Sequence, residues 1–261
     1  MVRIMLLMKN IFTIPSKIVI KISTLLTIIL SLILNRYRLL LLQYLVAFIH
    51  EVFHCIGAFI FKLNVNKITF LPFGFYAEID NLYFAKWYQE LIIVILGPLS
   101  YFLSFIIIKY LYLTSSISYV LYEEINEVNL FILIFNLLPI YPLDGYRILK
   151  IINELFLPER KSLIICNSIS LISTILMFFY MFNHFQIFII SFLLINQYFL
   201  IISFKKVYRV FLVSKTIENF SSNYKIHFLE DLYRPFNNIV IKNHKIYNEQ
   251  EYSRYLLKKR K

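Results

Sequence analysis

The sequence predicts an all-α polytopic membrane protein of about six transmembrane helices, one of them discontinuous, with a small membrane-associated β-hairpin and a short cytoplasmic tail. Three observations predict it. The chain is 59% hydrophobic, with 26 Phe and 20 Tyr among 261 residues, more apolar surface than a soluble protein of this length can bury. Apolar runs of about 20 residues, the length that crosses a ~30 Å hydrocarbon core, recur along it. Only 4 Gly and 7 Pro occur, so those falling inside the apolar runs mark breaks.

Residues 1–15 form a basic lead with Arg3 and Lys9. Lys17, Lys21 and an apolar run to Leu34 follow, without a small-residue cleavage site, so this run is predicted to be a retained first span. The second span is Leu39–Phe61. Residues 62–90 lack a long apolar run. Within them Lys67–Ile79 alternates weakly and is rich in β-branched and aromatic residues, which predicts a hairpin with Pro72 and Gly74 near its turn. The third span, Leu91–Leu113, contains Gly97-Pro98, a predicted kink. A polar loop carries Glu123, Glu124 and Glu127. Val128–Ile140 is then too short to cross alone, Pro139 and Pro142 interrupt it, and the chain resumes over Tyr146–Leu157. Two half-length segments around a proline break make a discontinuous span, an arrangement that exposes polar groups at membrane depth. The fifth span is Leu163–Phe182, His184 lies in a short connection, and the sixth span is Phe185–Phe204. The domain division is therefore a membrane domain over 1–204, with its core at about 39–157, and a basic tail over 205–261.

The formal net charge is +12. Residues 205–261 hold 13 Lys and Arg against 5 Asp and Glu. A tail beside an anionic leaflet accounts for this without direct nucleic-acid binding. With both termini cytoplasmic, 24 of the 27 basic residues fall on the cytoplasmic side and only Arg36, Arg38 and Lys109 on the other. Cys55 and Cys166 both lie in apolar stretches and form no disulfide pattern.

The chemistry is concentrated in the second span, at His50-Glu-Val-Phe-His54. Residues four apart on a helix project from one face. H-E-x-x-H on a helix is the zinc-protease signature: the two imidazoles bind the metal and the glutamate acts as base toward water. Ionisable groups at membrane depth are costly unless used. Cys55 follows His54 directly, points about 100° away on a helix, and is read as packing. A catalytic zinc usually takes three protein ligands. Of the three aspartates, Asp80, Asp144 and Asp231, only Asp144 sits at a helix break inside an apolar region. The bland reading of Asp144 is a helix N-cap.

His50-Glu-Val-Phe-His54 on a membrane helix, followed some 90 residues later by Asn136-Leu-Leu-Pro-Ile-Tyr-Pro-Leu-Asp-Gly145, resembles the site-2 protease family of intramembrane zinc metalloproteases. Leu71-Pro-Phe-Gly74 and Gly97-Pro98-Leu99 bring the resemblance closer to the stage IV sporulation protein FB branch. It covers roughly residues 10–205. Phe75 and Tyr146 depart from the pattern, standing where the family usually has a second glycine. The resemblance implies one catalytic Zn2+ held by His50, His54 and Asp144, with Glu51 as general base and then proton donor. It implies substrate contacts from Asn136, Pro142, Phe70 and Gly74, the hairpin holding an extended substrate by strand addition. It further implies a membrane-associated protein substrate, in the sporulation branch a sigma factor precursor whose pro-sequence is removed. Inhibitory membrane proteins would hold the enzyme silent. The location would be the bacterial cell membrane or the membrane surrounding the forespore, and a homo-oligomer stays open. The tail, Tyr233–Ile241 followed by Asn248–Glu251, is read as a reduced CBS-like regulatory module, since about 57 residues are too few for a pair of CBS repeats.

Two other classes compete. A metal or proton transporter could use the same His, Glu and Asp cluster, but the internal repeats common in transporters are not seen. An inactive scaffold is disfavoured by the presence of His50, Glu51, His54 and Asp144 together.

Overall fold

The computed structural model describes residues 17–20, 22–72, 74–80, 82, 85–180, 186–217, 224–228, 231–242 and 245–259. The basic lead and the connection carrying His184 lie outside the described residues. The chain divides into two units, Met1–Leu82 with Gln89–Leu137, and Tyr83–Tyr88 with Leu138–Lys261.

In the first unit, strand β1 (Lys17–Ile20) and helix α1 (Ile22–Ile33) stand where a first span was expected. Twelve residues cover only about 18 Å, too little to cross a bilayer. The residues explain the difference. Thr24, Thr27 and Ser31 recur at helical spacing and are buried, while Leu25, Leu26, Ile29, Leu32 and Ile33 are exposed. The hydroxyl of Thr24 donates to the Phe70 carbonyl at 2.8 Å. Helix α1 therefore docks by its polar stripe and turns its apolar side outward.

Helix α2 (Tyr37–Ile60) carries His50, Glu51 and His54. The predicted hairpin forms as β2 (Val65–Leu71) and β3 (Gly74–Ile79), antiparallel with Leu71 opposite Gly74. Strand β1 adds to β2 in parallel, so the order is β1-β2-β3 with β2 in the middle. The sheet is fastened to α2: the Tyr44 hydroxyl donates to the Leu71 carbonyl at 2.7 Å, and Phe75 packs edge-on against Tyr44, Phe48 and Phe70. Gly74 has φ +152°, and a Cβ there would meet that of Ala47 at 3.0 Å, so a side chain would push the turn off α2. Helix α3 (Trp87–Leu113) runs on through Pro98, and α4 (Tyr119–Leu137) takes Glu123, Glu124 and Glu127 into a helix rather than the expected loop. Arg38 pairs with Glu124 at 2.9 Å.

In the second unit, residues 138–143 form the proline break and α5 (Asp144–Phe156) follows it. Helices α6 (Glu159–Tyr180) and α7 (Gln186–Ile217) follow in turn. Helix α7 runs well past Phe204, where the sixth span was expected to end. Beyond it the tail is folded: β4 (Tyr224–His227) pairs in parallel with β5 (Asn237–Lys242), β6 (Lys245–Tyr247) pairs antiparallel with β5, and α8 (Glu249–Lys259) closes the module. Leu232, Val240, Tyr252 and Leu256 of the tail share one apolar core with Leu163, Tyr208, Phe211 and Leu212.

Four helices among the described residues are long and apolar enough to cross a membrane: Tyr37–Ile60, Trp87–Leu113, Glu159–Phe179 and Ile189–Thr216. The expected discontinuous span corresponds to α4 and α5, neither of which is among the four. Small polar side chains, Ser100, Ser104, Asn129, Ser170, Thr174 and Gln197, are buried, while many of the large apolar ones face outward. That inversion suits a lipid solvent.

A buried ionic network joins α5 to the tail module. Glu154 is fully buried, pairs with Lys150 one turn earlier and accepts from Arg234 Nη1 at 2.8 Å. Lys215, also fully buried, pairs with Glu249 at 2.9 Å and donates to the carbonyls of Arg234 and Phe236. Asn238 completes the knot by bonding Tyr233, Phe236 and Glu249. Removing one member of a buried pair leaves an uncompensated charge. Glu154→Leu, which strands Arg234, is expected to destabilise the full chain in micelles by about 3–5 kcal/mol, with Glu154→Leu/Arg234→Met recovering part of the loss. Thermal unfolding checks this, and unchanged unfolding of Glu154→Leu would show the pair to be incidental.

Candidate metal centre

Helix α2 places its two histidines one turn apart, and both are 6% exposed. Their Nε2 atoms lie 3.1 Å from each other. Two nitrogens at roughly 2.05 Å from one tetrahedral zinc would be about 3.3 Å apart, so the pair is already spaced as two ligands of one ion. The tautomer of His54 follows from its other nitrogen. Nδ1 lies 2.8 Å from the Ile93 carbonyl, which can only accept, so Nδ1 carries the proton and Nε2 keeps a lone pair. This bond turns the ring from α3, the helix opposite.

Gly97 makes room for that ring. A Cβ built on it would fall 2.9 Å from His50 Cε1 and closer still to the His54 ring. Beyond the kink expected at Gly97-Pro98, the glycine supplies the space that the two imidazoles occupy. Its being one of four glycines in the chain was the available signal.

Glu51 points to the sheet. Its Oε1 accepts the Ala77 N–H of β3 at 2.6 Å. Among the described strands β3 has β2 on one side only, and this N–H is turned away from β2. The carboxylate expected to act as base thus sits at a strand edge able to receive an extended peptide.

Asp144 is buried, at 7% exposure, in the first turn of α5. The residue at the N-cap is Leu143, with no side-chain cap bond, so the capping role considered for Asp144 is not the one it has. The break before it is braced from α6 and α7. Ser170 Oγ accepts the Tyr141 N–H at 2.8 Å, and Gln197 Nε2 donates to Ser170 Oγ at 2.7 Å. Tyr146, where the resembled family has glycine, is buried and donates its hydroxyl to Asn167 at 2.7 Å.

Among the described residues one group of metal-ligating type could hold an ion: His50, His54 and Asp144, all buried. Two neutral imidazoles and one carboxylate are a catalytic zinc donor set that leaves a fourth position open. Cys55 is half-buried and does not join the group.

The remaining expected residues are less committed to the site. The Asn136 amide donates to the Ile132 carbonyl one turn back on its own helix, at 2.9 Å. Phe70 lies on the central strand, whose backbone is paired on both sides, so the edge open for strand addition is that of β3, which Gly74 begins. Pro142 lies in the braced break two residues before Asp144.

No family model matches the sequence. The chain is 32% identical over 133 residues to the stage IV sporulation protein FB of Bacillus subtilis (strain 168), a match covering 51% of this chain and 46% of that relative. The chain therefore matches about half the length of that relative. The fold resembles a site-2 protease from Methanocaldococcus jannaschii, with a TM-score of 0.56 and 27% identity, covering 69% of this chain and 88% of that one.

Gly97→Ala fills the space beside both imidazoles. The full chain carrying it is expected to bind zinc about 10–100-fold more weakly, measured as metal retained against a chelator series. Affinity equal to wild type would mean that the rings do not need that space.

Proposed function

We propose that the chain belongs to the site-2 protease family and is an intramembrane zinc metalloprotease acting on a membrane-associated protein. The observation that carries this reading is the pair of buried imidazole nitrogens 3.1 Å apart with Glu51 beside them on the same helix. His50, His54 and Asp144 are the residues that would hold the ion. When bound, it supplies Lewis acidity to the scissile carbonyl and to the attacking water.

Everything else falls to the chain's own groups. Glu51 takes the proton from the water that attacks the carbonyl carbon and passes it to the departing amine nitrogen. Before a substrate arrives, Glu51 is held by the Ala77 N–H. A substrate strand added along β3 would bring its backbone to that carboxylate, and it would arrive unwound, which a peptide bond within a transmembrane helix needs before hydrolysis. Gly74, at the start of β3, keeps the turn close to α2, while Phe70 supplies an aromatic wall with Phe75. Asn136 would release its helix carbonyl and contact substrate backbone or the developing oxyanion.

The sequence likeness to stage IV sporulation protein FB supports a finer reading. The substrate would be a sigma factor precursor whose pro-sequence is removed, and inhibitory membrane proteins would hold the enzyme silent. The membrane would be that of a bacterial cell or around a forespore, both termini cytoplasmic.

The test is cleavage of a sigma factor precursor by the full chain in membranes. Glu51→Gln should lower the rate by about 10²–10⁴ while zinc content stays at the wild-type level. Equal trimming by wild type and variant would remove Glu51 from the mechanism. A metal-transport reading would instead show altered zinc or proton flux in Glu51→Gln vesicles.

A further inference from the structure

Helix α7 has no charged residue from Gln186 to Phe204, about 28 Å of helix, and then meets Lys205, Lys206 and Arg209 within five residues. Helix α6, which packs against it, starts with Glu159, Arg160 and Lys161 and has no charge from there to its end. The apolar lengths of both helices therefore stop at one level, the depth of lipid headgroups if they cross the bilayer.

At that level lies a cavity of about 390 Å³. Arg160, Lys205 and Arg209 supply its cationic lining, Phe204, Leu212 and Leu257 its apolar wall, and among the described residues no carboxylate lines it. Among the described residues Arg160 and Lys205 take part in no ion pair. A second cavity, about 420 Å³, shares Lys205 and Arg209, adds Lys206, and opens along Ile202, Val210 and Val213. Those three side chains are 60%, 40% and 42% exposed. The two cavities thus combine four cations with an apolar track leading out along a membrane helix.

We propose that Arg160, Lys205 and Arg209 form a binding site for the phosphate of an anionic phospholipid, whose acyl chains lie along Ile202, Val210 and Val213. The chemistry is that of basic pockets between membrane helices, which take phosphate headgroups. Arginine provides planar, paired donors for phosphate oxygens and lysine a compact charge. A soluble phosphate would satisfy the cations alone. The exposed apolar track favours the lipid, because an unattached phosphate leaves that track unused. The site does not depend on the protease reading. It sits on the same α6–α7–tail core that packs the C-terminal module, so a bound lipid would tie that module to the leaflet.

The experiment uses the full chain in mixed micelles of phosphatidylglycerol and phosphatidylcholine, with retained lipid counted after gel filtration. Wild type should retain phosphatidylglycerol selectively. Arg160→Gln/Lys205→Gln should lower its affinity about 30-fold. The charge-preserving Arg160→Lys/Lys205→Arg should stay near wild type, as should Lys109→Gln, which removes an exposed cation elsewhere. Retention by the glutamine pair equal to wild type overturns the site, and so does an equal loss in Lys109→Gln, which would mark general electrostatic attraction. Full displacement of the lipid by millimolar inorganic phosphate would keep the phosphate site but overturn the lipid as its occupant.

Discussion

The hydrogen bond from His54 Nδ1 to the Ile93 carbonyl spans only 2.8 Å, yet much of the first unit is arranged so that it can form. An imidazole in a membrane helix needs a partner for its N–H, and here a neighbouring helix backbone supplies it. That choice fixes the ring plane and leaves the Nε2 lone pair facing His50. It also requires α3 to approach within the width of a ring, which Gly97 permits and any Cβ would obstruct. Ligand, tautomer and helix contact are one constraint seen from three sides.

The same economy governs the rest of the membrane-type packing. In lipid, apolar contacts between helices gain little, so small polar groups hold elements together. Thr24 ties α1 to the central strand, Tyr44 ties α2 to the hairpin turn, and Ser170 with Gln197 braces the break ahead of Asp144. In the second unit the glue becomes ionic, with Glu154, Arg234, Lys215 and Glu249 all buried. Such groups are satisfied in one arrangement only, so they hold α5, which starts at Asp144, in a fixed relation to the tail module.

Some of this was legible in the sequence because its signals are local. His50, Glu51 and His54 share one helical turn, Asp144 follows two prolines, and the hairpin strands flank a Pro and a Gly. A short docked helix stands in place of the expected first span, because an apolar run from residue 17 to 34 does not declare its period. Its polar residues do, and the buried stripe of Thr24, Thr27 and Ser31 is the mark of a docked helix. The acidic residues 123–127 looked like a loop by charge but lie on a helix, where Glu124 meets Arg38. Gly97 was noticed for its neighbour Pro98, since nothing local says that two rings need its space. The Glu154–Arg234 pair joins residues 80 apart, and no spacing rule reaches that far.

The proposed site would hold one zinc on two imidazoles and a carboxylate, with a fourth place left for reaction. X-ray absorption on the zinc-loaded full chain addresses it directly. The expected result is a four-coordinate shell of nitrogen and oxygen at about 2.0–2.1 Å, with the multiple-scattering signature of two imidazoles and no sulfur. A scatterer at about 2.3 Å would place Cys55 on the metal, and a shell lacking imidazole would remove His50 and His54 from it; either result would rule out this ligand set.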